Sequence, residues 1–96
     1  NMSFHVCPKC GHESHIFGSG GAARMVKDYG TELLGQLPLD ETIQQHADSG
    51  KPTVVSDPDG RIAEIYRKIA RRCAVKIADL QRDMTSKFPN IVVQNT

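Results

Sequence analysis

Ninety-six residues with 39% hydrophobic and 5% aromatic side chains, and no Trp, make at most one small and mostly aliphatic core. Twelve Lys and Arg against eleven Asp and Glu leave a formal charge of +1, which excludes the basic footprint of a typical nucleic-acid binder and the acidic bias of a disordered chain. No apolar run approaches the roughly 20 residues of a membrane span, and three cysteines, two of them in a C-x-x-C, form a metal or redox pattern suited to a reducing compartment.

Taken in chain order, Asn1 to Val6 is half apolar and reads as the end of a strand running into a loop. The run Cys7-Pro8-Lys9-Cys10-Gly11-His12 cannot be regular structure, because Pro8 lacks a donor and Gly11 permits positive φ. Gly18-Ser19-Gly20-Gly21 is a turn, and Ala22, Met25, Val26 and Tyr29 then share one face of a short helix that Gly30 can close. The apolar run 32–37, stopped by Pro38, predicts a strand. Asp40 can cap a helix from about Glu41 to Ala47. Thr53-Val54-Val55, bounded by Pro52 and Pro58, predicts a short extended piece.

A long amphipathic helix is predicted over about 60–84. Ile62, Ile65, Tyr66, Ile69, Cys73, Ile77, Leu80 and Met84 recur at helical spacing, and Asp57 or Asp59 stands at the capping position. Most of the positive charge lies on its outer face. Residues 51–96 hold nine basic and five acidic side chains, against three and six in residues 1–50. That face reads as solvated rather than as a nucleic-acid or membrane surface. Residues 88–93 read as an edge strand or tail. The alternation of strands and helices gives an α/β layer fold with parallel strands, residues 1–84 forming the body and 85–96 a C-terminal tail. The chain begins with Asn rather than Met, and the expectation is an excised segment whose remaining strands lie upstream.

Cys7 and Cys10 are the candidate metal ligands. Two thiolates on one side of a turn shaped by Pro8 and Gly11 can bind one metal ion or neighbouring irons. Structural zinc wants four ligands, and iron–sulfur clusters usually want four thiolates. Cys73 reads instead as a small apolar group on the long helix. Two completions remain open: His12 and His15 join the cysteines around zinc in a single chain, or two chains contribute Cys7 and Cys10 each to a four-thiolate site. The glycine-rich turn lacks the Gly-Lys-Ser/Thr of a phosphate loop and reads as a hinge below the cysteine loop.

The ordered set Asn1-Met2-Ser3, Cys7-x-x-Cys10-Gly11-His12, Ile16-Phe17-Gly18-x-Gly20-Gly21, 34–39 (Leu-Gly-Gln-Leu-Pro-Leu) and Gly50-x-Pro52 resembles the C-terminal part of the Mrp/ApbC iron–sulfur cluster carrier ATPases, in the MinD/ParA-like branch of P-loop NTPases. The resemblance implies an α/β protein of the cytoplasm that binds ATP, forms a homodimer, holds a bridging [4Fe–4S] cluster and passes it to apo iron–sulfur proteins, with no nucleic-acid or membrane partner. It places Cys7 and Cys10 as the cluster ligands, in a metal loop spanning about 5–17. It also places Asn1 at the adenine edge and Pro38 near the base, and an Asn amide both donates and accepts as that edge requires. The Walker loop of such ATPases is absent from these residues, so the expectation is that the chain alone does not hydrolyse ATP and binds it weakly or not at all.

Overall fold

The computed structural model describes residues 1–87, and the expected edge strand or tail at 88–93 lies outside them. Strand β1 (His5–Val6) pairs antiparallel with β2 (Glu13–Ser14) in the register His5 with Ser14 and Val6 with Glu13. Among the described residues four helices follow: α1 (Gly21–Tyr29), α2 (Glu41–Asp48), α3 (Thr53–Ser56) and α4 (Arg61–Lys87).

Local chemistry accounts for most of the boundaries. Gly20 and Gly30 flank α1 in the left-handed region, and the Gly30 N–H closes the last turn on the Val26 carbonyl. At α2, the Asp40 carboxylate accepts hydrogen bonds from the Thr42 N–H (2.8 Å) and the Thr42 hydroxyl (2.5 Å), satisfying a donor the helix leaves free.

Two expectations are corrected. Residues 53–56 are helical, not extended. Pro52 enters with φ −54° and its carbonyl accepts from the N–H of Val55 and of Ser56, while the Thr53 carbonyl accepts from Asp57. Burial of Thr53 and its hydroxyl contact with His46 Nδ1 (3.1 Å) hold this turn between α2 and α4, so packing overrides β-branched propensity. Asp57 therefore closes α3.

The second correction concerns the sheet. Residues 32–37 do not form a strand, and among the described residues the only ladder is the antiparallel pair β1–β2. The Ser3 N–H donates to the Leu37 carbonyl (2.8 Å), and the Leu39 N–H donates to the Phe4 carbonyl (2.7 Å). These bonds lay 3–4 and 37–39 side by side in the same chain direction. The contact consists of these two bonds, which flank Pro38, a residue with no N–H to offer.

The core is small. Phe4, Pro38, Thr53 and Ala63 are buried, with Ile62, Ile65, Tyr66 and Ile69 of α4 half-buried around them. The Arg61 guanidinium lies 5.8 Å from the centre of the Phe4 ring, a cation–π contact joining the start of α4 to the segment that leads into β1. Arg72 donates to the Leu34 carbonyl (2.6 Å) and Lys76 pairs with Glu32, fastening 32–36 along α4. Beyond Cys73 the apolar positions Val75, Ile77, Leu80 and Met84 are exposed.

Candidate metal centre and adjoining cavity

The loop that joins β1 to β2 carries both Cys7 and Cys10. At its mouth the Cys7 N–H donates to the His12 carbonyl (2.9 Å), and inside it the Gly11 N–H donates back to the Cys7 carbonyl (2.8 Å). Gly11 sits at φ +74°, a conformation that costs a side-chain-bearing residue strain. The turn brings the backbone N–H of Cys10, then that of Lys9, onto the Cys7 sulfur, and the Cys10 side chain adds a further hydrogen bond. Together these outweigh the slight desolvation and hold the Cys7 thiol below its ordinary value. N–H groups aimed at sulfur favour a thiolate and hence a soft-metal ligand. Cys10 is exposed and Cys7 half-exposed, so the pair opens outward.

The structure brings Cys7 and Cys10 together and brings no third donor to them. Among the described residues no group of three His, Cys, Asp or Glu side chains is arranged to hold a metal ion. His15 turns the other way, its Nδ1 lying 3.2 Å from the Ser3 carbonyl oxygen. Cys73 is half-buried on α4.

Below the hairpin lies a cavity of about 430 Å³. Asn1, Ser3, His15, Phe17 and Gln36 line it together with the turn 18–21, and the Ser3 hydroxyl donates to Gln36 Oε1 (3.1 Å). Asn1 thus stands in a cavity wall. Pro38 is buried two residues past Gln36 and is not among the lining residues. Sequence reasoning missed Ser3, His15, Phe17 and Gln36 as a group. Only the turn of the chain that returns 33–36 to residues 1–3 assembles them, and no local spacing encodes it. No helix among the described residues is long and apolar enough to cross a membrane.

The chain is similar to known proteins. The ParA family described as NUBPL iron-transfer P-loop NTPase matches residues 1–74. The chain is 47% identical over 77 residues to the iron–sulfur cluster carrier protein of Salmonella typhimurium, covering 80% of this chain and 21% of that protein. With the iron–sulfur cluster carrier protein of Escherichia coli K12 the identity is 46% over the same coverage. The iron–sulfur cluster transfer protein NUBPL of Dictyostelium discoideum is 36% identical over 95 residues, which is 97% of this chain and 29% of the relative. The chain therefore spans between a fifth and a third of the length of these relatives.

Proposed function

The chain belongs to the NUBPL-type iron-transfer P-loop NTPases, and on that premise we propose that it supplies the cysteine pair by which an iron–sulfur cluster carrier holds its cargo. Cys7 and Cys10 of two copies ligate one [4Fe–4S] cluster between them, and cysteine thiolates of an apo-protein then displace them and take the cluster. The observation that carries this reading is the donor count. The loop presents two outward-facing sulfurs, one favoured as thiolate, and no third donor among the described residues joins them. Four thiolates are what such a cluster takes, and a two-fold axis supplies them.

The remaining roles follow from the same family. Residues 1–84 are part of the α/β nucleotide-binding body, the same-direction contact between 3–4 and 37–39 being an edge of its parallel sheet. Asn1 meets the adenine edge of ATP, with Pro38 packed behind the loop that approaches the base. ATP hydrolysis belongs to the longer protein, and the work is done in the cytoplasm, where thiols stay reduced.

Anaerobic reconstitution with ferrous iron and sulfide tests the assignment. The expected product is a dimer with a broad visible absorbance, absent from a Cys7→Ala, Cys10→Ala variant. One zinc per monomer, lost on His12→Ala or His15→Ala, would instead make the loop a zinc module and overturn the carrier reading.

A further inference from the structure

The cavity and the cysteine hairpin share their walls. Ser3 lies two residues before β1 and His15 directly follows β2, so the two flank the open end of the hairpin, and both line the cavity. The His15 Nδ1 to Ser3 carbonyl contact of 3.2 Å ties the two legs at their base. A carbonyl only accepts, so Nδ1 carries the proton. On the far side, the Gly18 N–H donates to the His15 carbonyl (3.0 Å), fixing His15 to the turn that forms the cavity floor. Above this tie the ladder is only two residue pairs deep before the loop begins, and so short a ladder cannot by itself fix where the loop stands.

We infer that a flat base held in the cavity sets the position of the cysteine loop through the His15–Ser3 hydrogen bond, which makes His15 a positioning residue for cluster binding and release. An occupant beside Ser3 and Phe17 presses on both legs at once, and the tie converts that pressure into one geometry at Cys7 and Cys10. The inference rests on the base-binding part of the proposed function and is independent of the cluster.

Hydrogen exchange of the metal-free chain with and without saturating adenosine tests it. Adenosine is expected to slow exchange of the Ser3 amide at the cavity and, by about fivefold, of the Cys7 and Gly11 amides in the loop. In His15→Ala the Ser3 protection should persist and the loop response vanish. His15→Asn, whose side-chain amide can donate to the same carbonyl, should restore it. A loop response of equal size in His15→Ala, or no loop response in the unaltered chain, overturns the inference. Because no metal is present, either result stands apart from success or failure of cluster reconstitution.

Discussion

At Gly35 the segment 32–37 runs close against Ile69 of α4, and Gly35→Ala measures how tightly the two are joined. A Cβ at Gly35 would stand 2.6 Å from Ile69 Cγ1 and 3.0 Å from Ile69 Cδ1. Carbon atoms prefer about 3.5–4.0 Å, so Ile69 must leave its rotamer or the segment must lift. Lifting strains the Arg72 bond to the Leu34 carbonyl and the Lys76–Glu32 pair. Overpacking of this kind costs about 1–3 kcal/mol, partly offset by the roughly 0.4–1 kcal/mol that Gly→Ala gains by restricting the unfolded chain. The net expectation is a loss of about 1–2 kcal/mol, or a fall in Tm on the order of 4–16 °C for a chain of this size. Ile69→Ala removes both opposing atoms but leaves the unfolded-state gain, so in that background Gly35→Ala should become neutral or slightly stabilising. Urea and thermal melts of the four proteins, followed by far-ultraviolet circular dichroism, complete the cycle. If Gly35→Ala cost the same in both backgrounds, the close approach of this segment to Ile69 would not exist in solution.

Asp40→Ala should lower stability by about 1 kcal/mol in urea melts through loss of the α2 cap, with Asp40→Asn close to the unaltered chain. Phe4→Ala empties the centre of a very small core and also removes the Arg61 contact; a loss of about 3 kcal/mol is expected by the same melts. The Cys7 thiol is held low by N–H groups that exist only in the folded loop. Its thiolate therefore adds stability above the unfolded thiol's pKa, and that contribution is lost as pH falls through the lower folded value. The midpoint for Cys7 alkylation by iodoacetamide should accordingly lie at lower pH in the folded chain than in urea, and coincident midpoints would contradict the loop geometry.

Features written in short stretches of sequence were readable without coordinates. Asp40 beside Thr42 marks the start of α2, Gly30 the end of α1, and Cys7-Pro8-x-Cys10-Gly11 the cysteine turn, because each depends on neighbours within one or two turns of chain. Thr53–Ser56 misled because β-branched residues between prolines favour extension locally, whereas the buried Thr53 and its contact with His46 are set by packing. Residues 32–37 carry a strand-like pattern, yet a parallel strand needs a ladder of partners, and here the contact amounts to two bonds, one on either side of Pro38. His15 had the composition of a zinc ligand; its bond to the Ser3 carbonyl joins positions twelve residues apart, a distance no spacing rule covers.

Sharing of one cluster by two chains is tested most directly by native mass spectrometry of a mixture. Unaltered chain and a mass-tagged Cys7→Ala, Cys10→Ala chain would be combined and reconstituted anaerobically with iron and sulfide. The expected result is a cluster, about two irons per chain, only on dimers of two unaltered chains, with none on mixed dimers or monomers. A full cluster on monomers, or equal iron on mixed dimers, would contradict ligation by Cys7 and Cys10 from both copies.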